Sequence, residues 1–297
     1  MASNGLIRLA SAPLELLIAP TAGGAIARLD WTGQGRSEPV LRGCDGLPGN
    51  ILDAANFPLV PFVNRIRDGR FTFRGRQIAL APNMAGDPSP LHGQGWLSAW
   101  TVESSSASEA ELRFDHVAGE WPWSYAARQV FRLDGDGLSL RLSCRNVSEE
   151  PMPCGLGQHP YFPCTAQTRI DTDVTHAWTI DEHVLPVEKV PATGRYDLKD
   201  RDVCGQDLDH GFGGWGGSAR MWTPDAPFEV HMSSPQARFF QLYSPAQGGL
   251  FVAEPVSHAN AAMNAPEEEW PELGLQVLEP GEEMILDMRL DVRQTRS

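Results

Sequence analysis

Two stretches of the chain alternate apolar and polar side chains with a period of two. In one, Leu138, Leu140, Leu142 and Cys144 are interleaved with Ser139, Arg141, Ser143 and Arg145. In the other, Met284, Leu286, Met288, Leu290 and Val292 are interleaved with Ile285, Asp287, Arg289, Asp291 and Arg293. Side chains that change face at each step mark a strand with one buried and one wet side. The 29 glycines and 24 prolines are spread along the whole chain and cut its apolar runs into short pieces, as many strands joined by turns require. Glu279-Pro280-Gly281-Glu282 predicts a turn before the last strand. Phe71-Thr72-Phe73, Arg74-Gly75-Arg76, then Ile78 and Leu80 predict a hairpin. No amphipathic pattern extends over three helical turns, and no shift in composition divides the chain. The expectation is an all-β protein, a single large antiparallel β-sandwich forming one domain over residues 1–297.

Composition narrows the function. A hydrophobic fraction of 41% supports a large core. The formal charge of −14 speaks against nucleic acid or an anionic membrane as partner, since both reward Lys and Arg. No uncharged apolar run approaches the ~20 residues of a membrane span, and the N-terminal residues lack the pattern of a signal peptide. The cysteines at 44, 144, 154, 164 and 204 include no CxxC and are odd in number, indicating neither a zinc knuckle nor a full disulfide set. A cytoplasmic protein, monomer or homodimer, is expected.

Five segments carry chemistry. Gly155-Leu156-Gly157-Gln158-His159-Pro160-Tyr161-Phe162-Pro163 mounts one imidazole among glycines, prolines and aromatic rings. An imidazole exchanges protons near neutral pH, although a core histidine with satisfied hydrogen bonds fits the same local pattern. Asn64 and Arg65 follow the proline-bracketed run Pro58–Pro61, and their amide and guanidinium suit hydroxyls or carboxylates. Arg67, Arg70, Arg74 and Arg76 read as the surface of a charged turn and hairpin. His92 lies in His92-Gly93-Gln94-Gly95-Trp96, where Trp96 is either a sugar-stacking face or core. Asp209 opens Asp209-His210-Gly211-Phe212, read as a glycine-rich loop running to Gly217; it is either an acceptor for a ligand hydroxyl or an Asx-turn residue. Glu254 in Gly249-Leu250-Phe251-Val252-Ala253-Glu254-Pro255 ends an apolar strand, either as its first wet residue or as a carboxylate made more basic by partial burial.

Taken in order, these segments resemble the aldose 1-epimerase family, the galactose mutarotases. The resemblance rests on Pro61-Phe62-Val63-Asn64-Arg65-Ile66 with Gly69-Arg70-Phe71, His92-Gly93, His159-Pro160-Tyr161-Phe162, Leu208-Asp209-His210-Gly211-Phe212, Gln241-Leu242-Tyr243, Glu254-Pro255 and Pro280-Gly281-Glu282. It implies a β-supersandwich and interconversion of the α and β anomers of a free aldose. It also implies roles: Glu254 as general base, His159 as general acid, His92 as a second active-site imidazole, and Arg65, Asp209, Asn64 and Gln241 as ligands of sugar hydroxyls. The chemistry is self-consistent. Opening a cyclic hemiacetal takes a proton from the C1 hydroxyl and delivers one to the ring oxygen, work for a carboxylate and an imidazolium flanking the sugar. No cofactor or metal is required.

The chain departs from the galactose-type pattern at Gln158 and Pro160, where many members have Asn-His-Thr, and after Pro255, where the Asp-Ala-x-Asn ending is replaced by Val256-Ser257-His258-Ala259-Asn260-Ala261-Ala262-Met263-Asn264. These changes are expected in the walls that choose the sugar. Alternatives are a mutarotase of a phosphorylated hexose, with a cationic subsite drawn from the arginines of residues 65–76; a non-catalytic carbohydrate-binding or sensing protein; and a lyase or isomerase on a related sandwich.

Overall fold

A computed structural model describes residues 5–295. Every named strand pairs antiparallel, and the only helices among the described residues are six three-residue 3-10 turns. Both alternating stretches are central strands, Gly137–Asn146 and Glu283–Gln294, paired Leu138 to Leu290 and Leu142 to Leu286. They lie within a nine-stranded sheet that runs from Arg201–Asp202 at one edge to Thr101–Ser105 at the other. Their apolar partners are buried together, and Arg141 and Asp287 pair on the wet face at 2.7 Å. The hairpin forms from Arg70–Phe73 and Arg76–Ala79, with Arg74 and Gly75 both at positive φ in the turn.

The second large sheet positions the candidate site. Its path runs Pro186–Pro191, His176–Ile180, Leu208–Gly213, Phe239–Ser244, Leu250–Val256, Gly157–Gln158 and Pro58–Leu59, with Tyr161–Pro163 also paired to Leu250–Val256. Leu250–Val256 is buried along nearly its whole length, which is why it reads as a continuous apolar run without alternation. A four-stranded sheet, Ile7 to Leu41, adds Leu9, Leu16, Ile18 and Leu29 to the main core.

Two expectations are corrected here. Residues 208–213 form an interior strand, Leu208–Gly213, instead of a loop. Its glycines meet crowding, not turning: a Cβ at Gly213 would stand 2.2 Å from the His176 ring. Glu254 is likewise inside its strand, 3% exposed, instead of being the first wet residue after it. Cys164 and Cys204 are joined in a disulfide, while Cys44, Cys144 and Cys154 are free. No helix among the described residues is long and apolar enough to cross a membrane.

Candidate active site

Strand register assembles the site. Gln241 pairs with Gly211 on one side and Glu254 on the other. On the far side of Glu254, Gly157 pairs with Val256 and Tyr161 with Val252. That register sets His159 directly opposite Glu254, because directly opposed residues share a face of the sheet. Pro160 and Pro255 lack N–H donors at this point, so the ladder is open beside the pair. One row of the sheet therefore presents Gly211, Gln241, Glu254 and His159. The next row presents Asp209, Tyr243, Val252 and Tyr161.

Within the row, His159 Nε2 lies 3.5 Å from Glu254 Oε1. This is ion-pair distance but longer than a good hydrogen bond. The His159 ring is stacked on Phe57 at 4.4 Å and flanked by Tyr161 at 4.8 Å, while its backbone N–H donates to the Phe57 carbonyl at 3.1 Å. Burial pushes the imidazole down to about 3, so it is neutral at pH 7. Burial also drives the Glu254 carboxyl well above its ordinary range, with Asp209 adding to the rise and Arg65 opposing it. Both shifts act in the same sense, towards a neutral imidazole beside a carboxyl that holds its proton more tightly than in water.

His92 is held differently. The Asn64 backbone N–H donates to His92 Nδ1 at 3.1 Å, and the His92 N–H donates back to the Asn64 carbonyl at 3.0 Å. Both residues sit at positive φ, an uncommon conformation kept by this reciprocal pairing. With Nδ1 accepting, the neutral ring carries its proton on Nε2. Burial, then the neighbouring His159 and Arg65, hold its pKa well below the ordinary value. Gly93 allows the loop to approach, since a Cβ there would stand 2.1 Å from the Val60 carbonyl oxygen. Trp96 is core: it is 2% exposed and packs on Phe57 at 5.3 Å.

Arg65 enters the cleft with its charge already balanced. Its Nε donates to Asp87 Oδ2 at 2.8 Å, and Nη1 donates to the Asn64 side-chain oxygen at 3.2 Å. Asp209 accepts from Gln241 Nε2 at 2.8 Å, and burial raises its pKa against the opposing pull of Arg65 and Gln241. All seven candidate residues, Glu254, His159, His92, Arg65, Asp209, Asn64 and Gln241, thus converge on one face of this sheet and the loops packed over it. Arg70, Arg74 and Arg76 do not join them. They are exposed on the hairpin, with Arg74 facing Glu279 and Arg76 facing Glu150. Arg67 pairs with Asp181 at 3.3 Å.

Tyr161, one of the aromatic rings beside His159 in the sequence, frames the imidazole together with Phe57. Phe57 and other supporting residues carried no usable sequence signal. Asp87 neutralises Arg65. His258 accepts from the Val63 N–H at 3.0 Å and fixes the segment leading to Asn64. Gly155 is required by that histidine, because a Cβ would stand 2.0 Å from its ring. Gln158 is a correction: its side chain is fully buried behind the site, accepting from Asn56 Nδ2 at 2.7 Å, and is not a cleft wall.

An all-β sandwich with this cleft belongs to the galactose mutarotase-like class of folds. The aldose 1-epimerase family model matches residues 6–291, and the chain belongs to that family. Among curated proteins, the uncharacterised Escherichia coli K12 protein YphB is 35% identical over 255 residues, 82% of this chain and 86% of that one. The crystal structure of a putative aldose 1-epimerase from Escherichia coli K12 aligns with TM-score 0.89 at 32% identity, covering 98% of this chain and 99% of that one. A galactose mutarotase-like protein from Clostridium acetobutylicum aligns with TM-score 0.85 at 20% identity, over 98% and 95% of the two chains, a likeness of fold.

Proposed function

We propose that the protein is a mutarotase of free aldoses, with Glu254 as general base and His159 as general acid. The observation that carries this reading is the buried Glu254–His159 pair, 3.5 Å apart on one row of the sheet. The groups stand side by side, not on opposite sides of the sugar, and side by side is sufficient. The hydroxyl to be deprotonated and the ring oxygen to be protonated are both bonded to C1.

Burial makes each partner stronger at its task, a carboxylate more basic and an imidazolium more acidic than in water. The reacting form is the one-proton tautomer in which the pair's proton has passed from Glu254 to His159: the C1 hydroxyl then gives its proton to the Glu254 carboxylate as the ring oxygen takes one from His159. The C1–O5 bond breaks and an open-chain aldehyde remains. Rotation about C1–C2 turns the carbonyl over. The C5 hydroxyl then returns its proton to His159 as it attacks C1, and Glu254 returns the other to the carbonyl oxygen. Proton count and charge are restored after each turnover. His92, with its proton on Nε2, serves as a fixed donor to the sugar, and Asp209, Gln241, Arg65 and Asn64 hold hydroxyls.

Free sugars are favoured over phosphorylated ones by the charge arrangement. Arg65 is matched by Asp87, and the hairpin arginines Arg74 and Arg76 are turned to the surface carboxylates Glu279 and Glu150. Polarimetry on freshly dissolved α-glucose and α-galactose is the test. Acceleration above the spontaneous rate is expected; binding of the sugars without acceleration would favour the non-catalytic reading.

A further inference from the structure

We infer that the cleft continues past the monosaccharide site to Trp178, which forms the platform of a second subsite for the next ring of a reducing disaccharide. The inference rests on the mutarotase reading for which sugar end lies at Glu254. The subsite itself is argued from geometry.

His176 pairs with Gly213 and Ala177 with Phe212, so the same register brings Trp178 beside Gly211. Both neighbours close on this position: Trp178 Cε3 lies 3.9 Å, and Gln241 Oε1 3.2 Å, from where a Cβ on Gly211 would stand. Gly211 is thus a bare floor between an indole and the amide that adjoins Glu254. The row from Glu254 to Trp178 crosses three strand spacings, ~14 Å, more than one pyranose ring covers. Gln241 and Glu254 are buried while Gly211 and Trp178 are partly exposed, so the row opens to solvent at the Trp178 end.

Trp178 also lines a cavity of about 540 Å³, together with His176, Lys189, Arg238, Glu269 and Glu272. An indole face beside polar groups suits the apolar face and rim hydroxyls of a sugar ring. Two cations and two carboxylates make the lining balanced in charge, which fits a neutral ring better than a phosphate.

The test compares kcat/KM for glucose, maltose, isomaltose and glucose 6-phosphate by polarimetry, in the wild type, Trp178→Ala and Trp178→Phe. Wild-type kcat/KM should be higher for at least one disaccharide than for glucose or glucose 6-phosphate. Trp178→Ala should lower the disaccharide value on the order of fivefold, leaving glucose within about twofold, and Trp178→Phe should retain most of it. Equal loss on glucose and disaccharide, or preference for the phosphate, would overturn the subsite. Calorimetric titration of methyl maltoside against methyl glucoside separates this from failure of the mutarotase reading. Tighter maltoside binding that depends on Trp178 upholds the subsite even if no sugar is turned over, and equal binding overturns it.

Discussion

His159 and Glu254 face each other across an interrupted strand ladder, with Nε2 and Oε1 3.5 Å apart. The residues on either side of this gap are in register, Gly157 with Val256 and Tyr161 with Val252. The pair is therefore fixed by backbone pairing. Neither side chain has to reach.

The protonation order of the pair gives the first prediction. Its productive form carries one proton, and limbs of the pH profile belong to the pair as a unit. Because burial pushes His159 down to about 3 and Glu254 up, that one-proton form spans the range between. The pH dependence of kcat/KM, corrected for spontaneous mutarotation, should show an acid limb well below the ordinary histidine range. The alkaline limb should lie above the usual carboxylate range. An acid limb centred near 6.5, the ordinary histidine value, would show that the imidazole titrates as if solvated.

A second prediction follows from the strain of burying a carboxyl. Glu254 has a folded pKa above its unfolded value, so its contribution is favourable at low pH and is lost as pH rises through the folded pKa. Glu254→Gln removes that loss. Its melting temperature should match the wild type near pH 4.5 and exceed it by about 3 °C or more at pH 8, where each kcal/mol is worth ~2–4 °C. A variant less stable than the wild type at pH 8 would contradict the assignment.

Third, the Asp209–Gln241 hydrogen bond, 2.8 Å long, places the two proposed hydroxyl ligands as a unit. Gln241→Ala should lower kcat/KM by about tenfold to a hundredfold, mainly through KM, since a hydrogen bond to a charged group contributes about 1.5–3 kcal/mol. Steady-state kinetics check this. An effect confined to kcat would place Gln241 in the chemical step instead.

Fourth, Gly155→Ala should destabilise the fold by about 2 kcal/mol, because the added methyl collides with His258 and disturbs its bond to Val63. Gly119→Ala is the neutral comparison, its nearest atom being 3.9 Å from the added Cβ. Denaturant midpoints for the two variants should separate clearly.

What was legible in the sequence was the half-buried part of the fold. Leu138–Cys144 and Met284–Val292 announce themselves because one face is wet. Leu250–Val256 is buried nearly throughout and shows no period, so Pro255 looked like an ending and Glu254 like a surface residue. Glycines at 211 and 213 suggested a loop, although they record close packing of Gln241 and His176. The seven candidate residues are legible through the resemblance, but their arrangement depends on pairing between distant strands, which local pattern does not encode. Gln158 was misplaced for the same reason, since alternation turns it away from the cleft. Asp87 meets Arg65, and Trp178 stands beside Gly211, only through contacts between segments distant in sequence.

The central claim is that Glu254 and His159 together move the protons of anomerisation. Its most direct test is polarimetry of freshly dissolved α-glucose with Glu254→Gln and His159→Asn, using circular dichroism to check the fold. Each variant should lose a factor on the order of 10² or more in rate while keeping its fold. Near-wild-type rates in both folded variants would contradict it.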